Sequence, residues 1–135
     1  MERKERGTPI RFSRFEEMPV WKDARILTKD VYELTRKGTF AKDFGLSNQI
    51  QRSVVSVIAN IAEGYERASE KEFLRFLATA KGSVGEIRCH LYVATDLGYI
   101  SDKEFAVVHK QCVSISTQIS NFSTYLRKKT LHADG

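Results

Sequence analysis

Beyond Pro19 the chain contains no proline, and apolar residues return every three or four positions along almost all of it. A three–four alternation lines up one face of an α-helix, and a stretch without proline has nothing to break such helices. Val20, Ala24, Leu27, Val31 and Leu34 make a first stripe, with Gly38 as the expected stop. Ile50, Val54, Val57 and Ile61 make a second, widened by Ile58 and Ala62, behind Ser47 as the expected N-cap. Its β-branched residues would suit a strand, but its length and the lack of period-two alternation favour a helix. Phe73, Leu77, Ala80, Val84, Ile87, Leu91 and Ala94 make a third, between Ser69-x-x-Glu72 and Gly98. Phe105, Val108, Cys112, Ile115, Ile119, Phe122 and Leu126 make a fourth, opened by Ser101-x-x-Glu104. Both Ser-x-x-Glu sequences are capping boxes. Four amphipathic helices with short links predict an all-α, antiparallel up-down-up-down four-helix bundle. The longest link, 39–46, carries Phe40 and Phe44, whose rings are expected to cover one end of the core.

Length and composition agree with one soluble domain. A chain of 135 residues with 41% hydrophobic and 29% charged residues can bury about two-thirds of its unfolded surface without staples. The longest apolar run, Val54 to Ala62, is broken by Ser56 and Asn60, far short of the ~20 residues that span a membrane, so no membrane partner is expected. The charged start, Met1 to Arg6, carries no apolar segment behind it, so no secretory signal is expected. Two cysteines make no disulfide framework, and a reduced cytoplasmic setting is the default.

The net charge of +5 is unevenly spread. Residues 1–14 carry five basic against two acidic groups, and residues 98–135 carry five against three. Residues 15–40, 41–68 and 69–97 each cancel. The expected layout is therefore a flexible basic segment at 1–14, the bundle at 15–130 and a flexible tail at 131–135. A basic end can be a mere solubilising tail or a contact for nucleic acid. Bundle topology brings the start of the first helix and the end of the fourth to one end, so Arg11, Arg14, Arg127, Lys128 and Lys129 are the candidate phosphate contacts. Lys103 and Lys110 are secondary candidates.

Catalytic and metal signals are weak. No Glu-x-x-His occurs, Glu86 and His90 are a lone pair, and Cys112 falls on a core stripe. No Gly-rich phosphate loop follows a strand. A non-enzymatic protein without metal or cofactor is expected.

Beside the core stripes run two stripes of small and polar residues. One is Gln49, Ser53, Ser56, Asn60 and Glu63; the other is Phe76, Thr79, Ser83, Glu86 and His90. A solvated face would be richer in Lys and Glu. Ser53, Ser56, Asn60, Glu63, Phe76, Ser83 and Glu86, together with Trp21, are therefore candidates for a helix seam or subunit interface. A ligand groove is the alternative. A hairpin centred near Glu66 puts residues whose numbers sum to about 133 level, to within a turn. Glu63 and Glu86 would then each face a positive helix N-terminus. Trp21, Ile26, Tyr32, Phe76 and Tyr92 add more apolar face than one bundle consumes.

Several of these residues also form a pattern. Val20-Trp21-Lys22-x-Ala24-Arg25, Phe44-Gly45-Leu46-Ser47, Asn60-Ile61-Ala62-Glu63-Gly64, Glu72-Phe73, Gly82-Ser83 and Leu97-Gly98-Tyr99-Ile100 resemble the four-helix-bundle proteins encoded in intervening sequences of bacterial large-subunit ribosomal RNA genes. The resemblance runs from about Phe15 to Leu126, with Tyr65 and Gly85 as departures. It implies a ring, typically a homopentamer. It also implies kinship with accessory proteins of diversity-generating retroelements, which bind nucleic acid and a reverse transcriptase through basic surfaces. Two functions are thus expected. One is an oligomeric, nucleic-acid-associated adaptor for RNA or DNA. The other is a protein-interaction module, such as a reverse-transcriptase accessory subunit.

Overall fold

The computed structural model describes residues 12–134, with side chains through Leu131. Most of the expected basic segment, Arg11 included, lies outside the described residues. Four helices follow in order: α1 Pro19–Thr35, α2 Phe44–Glu66, α3 Glu70–Asp96 and α4 Asp102–Asp134. Short 3-10 turns at Phe15–Glu17 and Phe40–Lys42 precede α1 and α2. Contacts join each helix to its chain neighbours and α1 to α4, most extensively between α2 and α3 and least between α1 and α4. Residue pairs run in opposite directions across α2–α3, α3–α4 and α1–α4, so the bundle is up-down-up-down.

The four apolar stripes meet in one core. Each of the five named stripe residues of α1, the four of α2 and the seven of α3 is buried. On α4, Val108, Cys112, Ile115, Ile119 and Leu126 are buried, while Phe105 and Phe122 pack partly exposed against the core. Met18, before the first stripe, is also buried.

The helix ends explain the boundaries. The α2 start differs from expectation: Asp43, four residues before Ser47, is the N-cap and accepts from the Leu46 N–H at 3.0 Å. Phe40-Ala41-Lys42 already turns in 3-10 form and delivers the chain to Asp43, so Ser47 is buried within the first turn of the helix. Phe40 is fully buried and stacks on Tyr99, with ring centroids 5.3 Å apart. Phe44, by contrast, is 73% exposed and covers nothing. Ser69 caps α3 through the Glu72 N–H, but the return bond is replaced by an ion pair of Glu72 with Arg67 at 3.7 Å. At α4 the capping box closes both ways: Ser101 Oγ accepts from the Glu104 N–H, and Glu104 accepts from the Ser101 N–H. Gly38 and Gly98, the two expected stops, are the described residues with positive φ. At Gly98 the Tyr99 N–H returns to the Ala94 carbonyl and the Gly98 N–H to Thr95, a Schellman cap that a left-handed glycine permits. α4 runs past Arg127 to Asp134 because no breaker intervenes, and Lys129 and Thr130 are tied to Glu70 at 2.9 and 3.0 Å.

At Gly64 the side chains of α3 lie directly against the α2 backbone. A Cβ there would stand 2.7 Å from the Phe73 ring and 2.8 Å from the Phe76 Cβ. Gly82 and Gly85 have open space at the same position. Alanine gains about 1 kcal/mol over glycine within a helix, whereas overpacking costs about 1–3 kcal/mol. Gly82→Ala should therefore raise the melting temperature and Gly64→Ala should lower it. Thermal denaturation by circular dichroism separates the two, and equal shifts would show that α2 and α3 yield freely at Gly64.

Asp43 also accepts from the Tyr99 O–H at 2.8 Å, which ties the α3–α4 link to the start of α2. The Leu46 N–H and this phenol hold the Asp43 carboxyl below the usual carboxylate range. The Ser101 N–H and Lys37 do the same for Glu104. A lowered folded pKa gives stability that is present above the unfolded pKa and lost as pH falls through the folded one. Acid should therefore loosen this end of the bundle. Asp43→Ala should lower the melting temperature at neutral pH and flatten its decline on acidification, as read from melting curves across the acidic range.

Candidate nucleic-acid interface

The start of α1, the end of α2, the start of α3 and the end of α4 share one end of the bundle. There a hollow of about 210 Å³ is lined by Phe12, Arg67, Glu70, Phe122, Tyr125 and Lys129, among others. Phe12 enters it because its carbonyl accepts a hydrogen bond from the Tyr65 hydroxyl. Phe12 and the last turns of α4 therefore share this hollow.

The candidate cations at this end are not equivalent. Arg14 is exposed and 3.8 Å from Glu17. Lys129 is held by Glu70. Arg127 and Lys128 are exposed and have no ion-pair partner among the described residues. Arg67, on the α2–α3 link, reaches Glu63 at 2.7 Å and lies over the Phe76 ring at 4.8 Å from its centroid. Exposed pairs of this kind contribute about 0.2–1 kcal/mol each, so a polyanion could draw Lys129 away at small cost.

The small-residue stripes divide between two settings. Ser56 and Ser83 share a hydrogen bond at 2.8 Å, Ser53 donates to Glu86 at 3.3 Å, and Asn60 donates to Ser56. These five residues form a polar seam between α2 and α3 that satisfies itself. Their numbers sum to 139 across the seam (56 + 83 and 53 + 86). The α3 partners thus lie six residues further along than a hairpin centred near Glu66 places them, and the Arg67–Ser69 link between the ends of α2 and α3 accounts for about half of that offset. Neither glutamate caps a helix: Glu86 meets Ser53, and Glu63 pairs with Arg67. Phe76 lies beneath Arg67, and Trp21 sits apart on α1, edge-on to Phe15 at 5.1 Å.

A second seam escaped the sequence reading. Gln118 donates to Asp23 at 2.8 Å, Gln111 to Asp30 at 2.9 Å, and Lys37 to Glu104 at 3.2 Å. These three rungs join α1 and the turn that follows it to α4 one heptad apart, and each pair of numbers sums to 141. The signal was present as two heptad series, Asp23-Asp30-Lys37 and Glu104-Gln111-Gln118, beside the core stripes.

Among the described residues no group of three His, Cys, Asp or Glu side chains could hold a metal ion, and no helix is long and apolar enough to cross a membrane. Burial pushes the Cys112 thiol up to about 12, while Cys89 is exposed. The end of the bundle thus offers cations, aromatic rings and an open hollow, the chemistry of binding.

Comparison with known proteins fits this architecture. The pattern describing the 23S rRNA-intervening sequence protein family matches residues 16–121. The chain belongs to that family. Its bundle is similar to the 1.70 Å crystal structure of a protein of unknown function from the S23 ribosomal protein family of Bacteroides thetaiotaomicron VPI-5482, with a TM-score of 0.71. The two are 21% identical, over 77% of this chain and 97% of that one. No curated protein matches the sequence. The family match begins within the 3-10 turn that precedes α1 and ends within α4, before Arg127. The intervening-sequence family pattern therefore spans most of the core and leaves out both Arg14 and the Arg127-Lys128-Lys129 cluster.

The thiols give a direct test of the packing. Alkylation by iodoacetamide at neutral pH should modify Cys89 in the native protein and Cys112 only after unfolding, as read by peptide mass spectrometry. Equal rates at both sites would mean that α4 opens readily.

Proposed function

We propose that the protein is a non-enzymatic, oligomeric adaptor that associates with RNA or DNA through the basic end of its bundle. The observation that carries this reading is a hollow lined by Phe12, Arg67 and the α4 residues Leu126 and Lys129, with Arg127 and Lys128 next to them in sequence, exposed and without ion-pair partners among the described residues. Arg14 and Lys129 flank them, and Arg11 belongs to the same segment in sequence. Phosphate contacts of this kind act through counterion release and read no base sequence. The family's name ties it to ribosomal RNA genes, which agrees with a nucleic-acid setting. In a ring, such as the homopentamer implied by the family resemblance, the basic end would repeat around the rim and multiply weak contacts.

Exposed apolar side chains favour a second reading, a protein-interaction module. Phe44 is 73% exposed, Leu131 70%, and Ile26 and Val107 about half. Binding to a protein partner such as a reverse transcriptase that survives nuclease and high salt would support it over the first.

Arg127→Gln, Lys128→Gln and Lys129→Gln together should weaken binding to labelled RNA or DNA and leave assembly intact. Fluorescence anisotropy across a salt series should show the slope of log K against log salt falling by about 0.7–0.9 for each phosphate that is no longer neutralised. Unchanged binding at matched salt would count against the basic end. Light scattering that finds only a 15.4 kDa species would remove the ring.

A further inference from the structure

Charges that cancel along the sequence separate in the fold. Residues 15–40 hold five basic and five acidic groups. Two of the acids, Asp23 and Asp30, turn toward α4, where Gln118 and Gln111 donate to them. Glutamine carries no charge, yet its amide satisfies a carboxylate that would otherwise be free to pair with a lysine of its own helix. Lys22, Arg25 and Lys29 remain on the outer side of α1, spaced by three and four residues. All three are exposed, and none has an ion-pair partner among the described residues.

These three cations line an open hollow of about 460 Å³ together with Trp21, Ile26 and one carboxylate, Glu16. Trp21 is half-buried and braced edge-on by Phe15, and the Arg25 guanidinium lies 5.9 Å from its ring centroid. Ile26 is 54% exposed and also lines the neighbouring hollow of about 430 Å³ between α1 and α4, where Lys110 adds another cation.

We propose that this outer face of α1 is a binding surface for single-stranded nucleic acid. Phosphates lie along Lys22, Arg25 and Lys29, and a base packs against Trp21 and Ile26. Unpaired cations beside a braced aromatic ring are the two elements that bind single strands without reading sequence. A base reaches such a hollow only when it is unstacked, so a duplex would use the cations alone. An acidic peptide would likewise leave the ring unused. The inference rests on the nucleic-acid reading above and adds to it a second surface, distant in sequence from Arg127 and Lys128.

Trp21 is the sole tryptophan of the chain, so its own emission reports on the site. The full-length protein is titrated with a short labelled oligo-uridylate strand, following tryptophan emission and strand anisotropy together. Emission should quench and saturate at the concentration where anisotropy saturates. Lys22→Gln, Arg25→Gln and Lys29→Gln together should weaken the complex about tenfold at low salt and reduce the salt slope by about 2. Arg127→Gln with Lys128→Gln should leave the quenching in place. Strand binding without any change in tryptophan emission, and undiminished in the α1 triple variant, would overturn this inference while leaving the basic-end reading intact. No binding by the unaltered protein at low salt would remove both. Poly-glutamate that quenches and competes as well as the strand would mark a general polyanion surface and overturn the assignment. A changed mass of the triple variant in light scattering would make the face a contact between copies, and would also overturn it. Quenching in the unaltered protein needs no variant to fold, so it stands as an independent readout.

Discussion

The close approach of α2 to α3 is the constraint on which the rest of the bundle depends. A glycine at position 64 lets the Phe73 and Phe76 side chains lie directly against the α2 backbone. Further along, the hydroxyls of Ser53, Ser56 and Ser83, the Asn60 amide and the Glu86 carboxylate form a polar seam beside the core, and they satisfy one another. A polar seam tolerates no slippage, because a shift by one residue would leave half-buried hydroxyls without partners, at about 1–3 kcal/mol each. The α2–α3 hairpin therefore has one register. α4 then packs on α3 through ring contacts, Phe73 with Phe122 and Tyr92 with Phe105, and α1 closes the square.

The stripes of the core were legible because helical periodicity is a local property. A residue four positions on lies on the same face whatever the rest of the chain does. The capping boxes and glycine stops were legible for the same reason. Other features depend on how the chain turns. Asp43 displaced Ser47 as the α2 cap because Phe40 anchors the link in the core and lets the helix begin sooner. The α2–α3 register moved by six residues along α3, about half of it because the link between the helices is centred beyond Glu66. The α1–α4 rungs were written in the sequence as two heptad series, but only the register of helices distant in sequence brings those series together.

Charge shows most clearly what a linear count loses. Summed by segment, α1 is neutral. In space two of its carboxylates, Asp23 and Asp30, turn toward α4 and its cations outward, and the device that separates them is a pair of uncharged glutamines. At the bundle end the reverse holds. The Arg127-Lys128-Lys129 run looks uniformly basic in sequence, but Lys129 is already matched by Glu70, and Arg67 beside it by Glu63 and Glu72. Family membership describes the frame that carries both surfaces. Function has to be argued from the surfaces themselves.

The α1–α4 seam has a consequence for how the molecule breathes. It is the least extensive of the four, its rungs are at most half-buried, and hollows of about 430 and 350 Å³ lie along it. Segments with few buried contacts open before the whole molecule does. α1 is thus the natural first unit to lift, leaving α2, α3 and α4 as a residual three-helix body. Backbone amides of α1 would then exchange with solvent sooner than those of α2 and α3. A ligand that grips α1 from outside would slow that exchange by favouring the docked helix, so occupancy of a surface would be felt as rigidity in the core.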